Sequence, residues 1–243
     1  MKATPHSFAP LKRSPAYQKV YDAVESDILS GRLAQDSLLP TEGELAEQFN
    51  VHRSTVREGL RLLEQAGLIR RGPAKRMIVV RPESEETATR AGRSLALHGV
   101  TFHEVWEAIA IFQPAAARHA AKHLDADQLD ALDEIVADAR RARTGEEIVA
   151  SASAFLQQVA AAGGNRVVLV TLQSLNQLIA SSLEQVVDEL PRAGRRIADA
   201  QSSMIGAFRA GDEVAAAAWM QKHIDDLKRG YEVAGAPMDS QVL

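Results

Sequence analysis

The sequence predicts a mainly α protein of two domains, and three observations carry this prediction. Residues 40–81 combine two short amphipathic segments with two short apolar runs. Residues 82–100 begin as a polar stretch. From residue 101 to 233, apolar side chains recur at helical spacing almost without interruption. We therefore expect helices and one small β-hairpin on the amino-terminal side, and an all-α antiparallel helical bundle on the carboxyl-terminal side.

Length and composition limit the possible functions. A chain of 243 residues is long enough for two domains of ordinary size. Its apolar runs fall short of the roughly 18 residues that a membrane-spanning helix needs, and residues 1–13 lack the apolar stretch of a signal peptide. The absence of cysteine excludes disulfides and thiolate metal sites. A cytoplasmic protein without membrane association is expected.

The formal charge of −4 conceals an uneven distribution along the chain. Residues 1–81 contain 13 Lys and Arg against 9 Asp and Glu, whereas the remaining residues contain 15 against 23. A basic amino-terminal module joined to an acidic body is typical of a nucleic-acid reader attached to a domain with another task.

The first domain is expected over residues 14–81, after a flexible tail at 1–13 that contains prolines and basic residues. Ser14 and Pro15 begin its first helix, because proline suits the first turn. Gly31 ends that helix after a stripe of apolar residues.

Two short helices follow. Thr41 is placed to cap the first of them, and Asn50 to end it, since asparagine tolerates the left-handed conformation. The second begins at Arg53 or Ser54 and runs to about Ala66. The spacing therefore predicts a helix-turn-helix.

The second of these helices has two distinct faces. At about 100° per residue, Val56, Leu60 and Leu63 share a face that can pack on the preceding helix. The basic and hydroxyl side chains form a separate row, suited to phosphates and to the acceptor edge of guanine: Arg53, Ser54, Thr55, Arg57 and Arg61. A solvated arginine face on an ordinary helix would show the same spacing.

The residues after this helix favour DNA binding. Residues 68–71 and 76–80 predict two short strands joined by a turn at 72–75. A helix-turn-helix followed by a hairpin with a basic tip is a winged helix-turn-helix, which aims its second helix at the major groove. The sequence therefore predicts double-stranded DNA as a partner.

The segment LPTEGELAEQFNVHRSTVREGLRLLEQAGLIRRG resembles the GntR family of bacterial transcription regulators. The resemblance implies DNA contacts from the recognition helix and the wing tip, at His52, Arg53, Ser54, Thr55, Arg57, Gly72, Ala74 and Lys75. Arg61 joins this set on its spacing. Gly43 is a departure, because family members often carry arginine there between two acidic residues. The operator is therefore expected to differ from those of relatives.

A linker is expected over 82–100, with a short docking helix at 94–97. The second domain is expected over 101–233, and a tail over 234–243. Its helices are predicted near 101–122, 126–143, 145–162, 165–190, 191–210 and 212–233. Short connections between them predict antiparallel neighbours.

This second half is similar to the FCD domain, the carboxyl-terminal ligand-binding domain of the FadR subfamily of GntR regulators. The matching pieces are EAIAIFQPAAARHAA, FLQQVAAAGGN and AFRAGDEVAAAAWMQKH. Many such domains hold a divalent metal with one Asp and three His. The resemblance places these four positions at Ala152, Leu156, Gln201 and His223. One imidazole remains, so no metal site is expected.

The resemblance also implies an effector cavity in this domain. Its expected lining is Ile109, Gln113, Ala152, Leu156, Gln201 and His223. Such a lining favours an apolar effector, such as an acyl thioester, a lipid or an aromatic or steroid-like catabolite. An ordinary filled core would contain the same residues. His223 is expected to pair with Gln201 or with a ligand group.

The predicted function is that of a homodimeric, ligand-responsive transcriptional repressor that binds a short palindromic operator. The alternative is an effector-independent DNA-binding dimer whose helical domain only dimerises. An enzyme is not expected, because the chain has no cysteine, no His-x-Glu motif and no serine with an identifiable His and Asp partner. No cofactor is expected.

Overall fold

The structure of the protein is a computed structural model. It describes residues 15–73, 76–190, 192–235 and 237–242. They divide into two compact units, residues 1–82 and 83–243, each with a hydrophobic core of its own. The flexible tail expected over 1–13 lies outside the described residues, and so do Ala74 and Lys75 of the expected wing tip.

The first unit is a winged helix-turn-helix, as predicted. Its elements in chain order are α1 (Ala16–Leu29), α2 (Glu42–Phe49), α3 (Arg53–Gln65), β1 (Ile69–Arg71) and β2 (Met77–Val79). The two strands are antiparallel, with Ile69 opposite Val79. An isolated bridge joins Leu38 to Ile78 on β2.

Local chemistry determines where α2 begins and ends. The Thr41 hydroxyl accepts a hydrogen bond from the Glu44 amide at 3.3 Å, and the Glu44 carboxylate accepts one from the Thr41 amide at 2.7 Å. This reciprocal arrangement is a capping box. Asn50 ends α2 in the left-handed conformation, with a φ of 50°. Both ends therefore follow the sequence prediction.

Packing against α1 fixes the orientation of α3. The two helices approach closely at Gly59, where a Cβ would lie 2.9 Å from Val20 Cγ1. Val56, Leu60 and Leu63 are buried, as their spacing predicted. The arginine row next to this buried stripe remains exposed to solvent.

The second unit is a helical bundle. Its helices are α4 (Ser84–Leu97), α5 (Phe102–His123), α6 (Ala126–Arg141), α7 (Gly145–Ala162), α8 (Arg166–Glu189), α9 (Ala193–Arg209) and α10 (Glu213–Val233). The six helices predicted from residue 101 onward are confirmed, with ends that shift by at most two residues. Within the described residues, no helix is both long and apolar enough to span a bilayer.

The bundle is held by long apolar helix faces and by capped helix starts. α5 packs along α10, α7 along α8, and α9 along both α6 and α10. Trp106, Phe155 and Tyr231 are among the large side chains that are fully buried between these helices. Capping boxes start α5, α6 and α7, and side chains of Asn165 and Asp212 cap α8 and α10.

The segment expected as a linker over 82–100 contains more structure than predicted. Instead of a short helix at 94–97 it forms α4, which packs along α8. The buried face of α4 consists of Ala88, Gly92 and Ala96, spaced one turn apart. These residues are too small to give a strong apolar signal in the sequence, although they permit close helix packing.

The expected tail over 234–243 is also ordered in its described part. The amides of Phe102 and His103 donate to the carbonyl oxygens of Ser240 at 3.1 Å and Met238 at 2.9 Å. The Val242 amide donates to the Val100 carbonyl oxygen at 3.1 Å. Backbone hydrogen bonds therefore attach this segment to the start of α5. The sequence did not predict this attachment, because backbone groups are the same in every residue type except proline.

Candidate DNA-binding face and effector cavity

The solvent-facing side of α3 carries the predicted recognition residues. Those that lie exposed are His52, Arg53, Ser54, Arg57 and Arg61, and Thr55 is half-buried. His52 is the N-cap residue of α3, and its side chain makes no capping hydrogen bond. The Thr55 amide donates to the His52 carbonyl oxygen at 3.0 Å, so the amides of Arg53 and Ser54 are the ones available to an anion such as a DNA phosphate.

Two of the three arginines on this face form ion pairs within the unit. Arg57 Nη2 lies 3.0 Å from Glu42 Oε2, and Arg61 Nη2 lies 2.7 Å from Glu58 Oε1. Hydrogen bonding to Glu42 raises the pKa of Arg57, and hydrogen bonding to Arg61 lowers the pKa of Glu58. Exposed pairs of this kind contribute little to stability. Both guanidinium groups can therefore exchange their carboxylate for a phosphate.

The third arginine, Arg53, lies against α2 at Gly43. A Cβ at Gly43 would be 3.1 Å from Arg53 Nη2 and 3.4 Å from its Cζ. Glycine at this position leaves the space that the guanidinium fills. The departure from the family pattern at Gly43 is thus linked to the placement of a predicted DNA-binding residue.

The hairpin shows how the base of the wing is built. The Gly72 amide donates to the Arg76 carbonyl oxygen at 2.7 Å, and a Cβ at Gly72 would overlap the Ile78 side chain. The Arg76 guanidinium donates twice to the Leu39 carbonyl oxygen, at 2.9 and 3.2 Å. Gly72 therefore keeps the turn tight, and Arg76 fastens the hairpin to the segment before α2.

The six predicted effector-binding residues lie in the core of the bundle or beside it. Gln113 Nε2 donates to Asn176 Oδ1 at 3.1 Å, so α8 provides a partner for its amide. In contrast, neither side-chain amide atom of Gln201 nor His223 Nε2 has a hydrogen-bond partner among the described residues. Gln201 and His223 therefore do not pair with each other, and a ligand group remains the predicted partner of His223. These buried polar atoms are left for another partner.

Burial determines the charge of His223. Its side chain is 2% exposed. Loss of solvation lowers its pKa to about 4, and the nearby Asp226 carboxylate opposes this shift. At neutral pH the imidazole is uncharged, so it can donate one hydrogen bond and accept another.

A cavity of about 350 Å³ lies between α8, α9 and α10. This volume is within the usual range for small-molecule sites. Its wall is mostly apolar and includes Leu183, Val187, Leu190, Ile197, Leu227 and Val233. The charged residues at the cavity are Arg192, Arg196, Arg229 and Asp226. Of the six predicted effector residues, all of which the structure describes, His223 borders this cavity and the other five do not.

Comparison with known proteins matches both units. Residues 16–79 match the family of bacterial regulatory proteins named gntR, and residues 104–226 match the FCD domain. This chain belongs to the GntR family and carries an FCD domain. Because the family consists of transcriptional regulators, the chain is a regulator and not an enzyme.

Two curated relatives and one solved structure agree with this assignment. The HTH-type transcriptional repressor NanR of Escherichia coli (strain K12) is 24% identical over 233 residues, which cover 93% of this chain and 88% of NanR. The HTH-type transcriptional repressor NagR of Bacillus subtilis (strain 168) is 36% identical over 72 residues, or 30% of each protein. Streptococcus agalactiae GntR shares the fold, with a TM-score of 0.60 and 23% identity over 88% of this chain and 99% of that chain.

The divalent metal typical of FCD domains does not fit the residues of this GntR regulator. Ala152 and Leu156 have no donor atom, and Gln201 offers only an amide beside the imidazole of His223. In the part of the chain that the structure describes, no three His, Cys, Asp or Glu side chains are grouped closely enough to hold an ion. The donor atoms that remain at these four positions are therefore too few for a metal centre.

The charged residues at the cavity were not predicted from the sequence. Arg192 precedes α9, Arg196 lies in its first turn, and Arg229 lies near the end of α10. The signal available in the sequence was the concentration of arginines in 192–196. Nothing in their spacing showed that they would meet Arg229 around an apolar space.

Proposed function

We propose that this GntR-family protein is a ligand-responsive repressor of the FadR subfamily that binds a short palindromic operator as a homodimer. Its FCD domain binds a small organic effector in a metal-free, largely apolar cavity. The proposal of repression draws on NanR and NagR, both named as transcriptional repressors. The proposal of a palindrome follows from twofold symmetry, because a symmetric dimer presents two identical recognition helices.

The single observation that supports DNA reading most strongly is the exposed guanidinium row of α3. Arg53, Arg57 and Arg61 lie at positions i, i+4 and i+8 and form an exposed row beside the buried stripe of α3. The uncapped start of α3 adds backbone donors beside this row. Guanidinium groups bind phosphate oxygens and the O6 and N7 atoms of guanine with two hydrogen bonds.

An effector regulates DNA binding only if it binds the DNA-free and the DNA-bound conformations of the protein with different affinities. A ligand that binds the DNA-free conformation more tightly lowers operator affinity in proportion to that difference. His223 Nε2 supports a ligand-responsive cavity, because this buried atom has no hydrogen-bond partner among the described residues, and a group bound in the adjoining cavity can recover the free energy that this costs.

The recognition helix is tested by comparing two arginine variants on an operator obtained by selection from random DNA. Arg57→Ala removes a guanidinium from α3, and we expect operator affinity to fall about 10- to 100-fold. Arg141→Ala is the matched control, because Arg141 is also exposed and paired, with Asp138, but lies in the FCD-containing unit. Unchanged affinity for Arg57→Ala at moderate salt would contradict the proposed orientation of α3.

An effector-independent dimer is the second candidate, and one observation favours it. Five of the six predicted effector residues do not border the α8–α10 cavity, and two of them, Ile109 and Ala152, belong to the hydrophobic core. A thermal-shift screen with fatty acids, acyl thioesters, small carboxylates and steroid-like compounds separates the candidates. A ligand at 100 times its Kd stabilises the fold by about 2.7 kcal/mol. Intact operator binding with no thermal shift from any class would support the effector-independent dimer.

A further inference from the structure

Most of the wall of the cavity between α8, α9 and α10 is apolar, and most of the charged side chains at this cavity are basic. Among the described residues, three arginines and one carboxylate border it. The Arg196 guanidinium is paired with that carboxylate, Asp226, at 2.6 Å. Arg192 and Arg229 are exposed, and no ion pair is seen for either within the described residues. The local excess of positive charge is therefore carried by Arg192 and Arg229.

This excess is unusual for the surrounding protein. Residues 82–243 carry 15 Lys and Arg against 23 Asp and Glu, so the second unit is acidic as a whole. A basic rim on an apolar cavity in an acidic domain attracts an anion and disfavours a cation. Guanidinium is also the group that binds carboxylate or phosphate with paired hydrogen bonds.

The third feature of the cavity is an uncharged polar side chain, the imidazole of His223. His223 borders the cavity, is almost fully buried, and has an Nε2 atom without a hydrogen-bond partner in the described chain. It can exchange one hydrogen bond with a polar atom of a ligand, such as a hydroxyl or carbonyl group. An anionic group at this buried imidazole would be poorly solvated, and such a group is better placed at Arg192 and Arg229.

We propose that the α8–α10 cavity binds an amphipathic anion. The apolar body of this ligand lies against Leu183, Val187 and Leu227, and its carboxylate or equivalent anionic group is held by Arg192 and Arg229. This inference rests on the proposed function, because it names the chemical class of the effector. It narrows the apolar effector expected from the sequence to one that carries a single anionic end.

Three probes with the same ten-carbon chain and different head groups test the charge requirement. Decanoate, decanol and decyltrimethylammonium are titrated into the full chain by calorimetry, below the concentrations at which they form micelles. We expect decanoate to bind at least tenfold more tightly than decanol, and decyltrimethylammonium to bind more weakly still. Equal affinity for decanoate and decanol would overturn the proposed role of the arginines.

Variants then locate the binding. The double variant Arg192→Gln with Arg229→Gln should reduce decanoate affinity to that of decanol, whereas Arg141→Gln, an arginine away from the cavity, should leave it unchanged. Gly230→Leu should abolish binding of all three probes, because the new side chain extends from a cavity-lining position toward Val186 and Leu190. Decanoate binding that survives both the double variant and Gly230→Leu would place the ligand elsewhere and refute the proposal.

Operator affinity is measured on the same protein, so that failure of the amphipathic-anion site can be distinguished from failure of DNA binding. Decanoate binding that meets these tests but leaves operator affinity unchanged would confirm the ligand class and contradict its role as an effector. Failure of all three probes to bind a protein that still binds its operator would refute the amphipathic-anion site and leave the DNA-binding function intact.

Discussion

The buried imidazole of His223 makes a specific prediction about stability and pH. Burial lowers its pKa to about 4 in the folded protein, against an ordinary value of 6.5 that we assign to the unfolded chain. As pH falls, the unfolded chain therefore takes up the proton first. The stability associated with this group is fully present above pH 6.5 and is lost progressively as pH falls toward 4. At pH 5 the loss amounts to about 2 kcal/mol.

Urea unfolding at pH 7.5 and pH 5.0 measures this loss. Other titrating groups contribute equally to the wild type and to His223→Gln, so the difference between the two proteins isolates the imidazole. We expect the variant to lose about 2 kcal/mol less than the wild type between these pH values. His119→Gln, at an exposed histidine, is the control and should behave like the wild type. An equal loss for wild type and His223→Gln would refute the reasoning.

Three further predictions concern packing, capping and metal binding. Gly145→Ala should destabilise the fold by about 1–3 kcal/mol in chemical unfolding, because a Cβ there would lie 2.6 Å from the Glu184 carbonyl oxygen. Gly206→Ala, whose Cβ meets open space within α9, should be neutral or stabilising, and equal effects of the two variants would contradict the packing argument. Thr41→Ala should cost about 1 kcal/mol through loss of the α2 cap, and Thr41→Ser should retain it; equal unfolding midpoints for the two would argue against the cap. Zinc or nickel should leave the melting temperature unchanged, whereas a rise that a chelator reverses would contradict the interpretation of Ala152, Leu156 and Gln201.

The helices and their ends were largely predictable because the signals that determine them are local. Thr41 and Asn50 act within one turn of their own positions, and the apolar stripe of α3 depends only on residue spacing. The full extent of α4 was not predictable in this way. Its buried residues Ala88 and Gly92 contribute by being small, which matters only once α8 lies beside them.

The same distinction between local signals and tertiary contacts applies to the DNA-binding face. The guanidinium row of α3 follows from spacing, but the pairing of Arg57 with Glu42 joins residues on two helices and requires the packed unit. The contact of Arg53 with the space at Gly43 is likewise tertiary.

In the FCD domain, the family resemblance located residues that prove to be core, and it did not reveal the cavity beside them. That cavity is formed where the carboxyl-terminal part of α8 meets the first turns of α9 and the second half of α10. Its wall residues are distant in sequence, and each is ordinary in its own helix. Among the residues that the structure describes, His223 alone belongs both to the predicted set and to the cavity wall.

The most direct test of the central proposal is selection of binding sites from a random DNA library with the full chain, followed by titration of the recovered sequence. The account predicts an inverted repeat bound by two protein chains, and loss of the enrichment when Arg53 and Arg57 are both replaced by alanine. Failure to enrich any sequence, or recovery of a single asymmetric site bound by one chain, would contradict a dimeric operator-binding regulator.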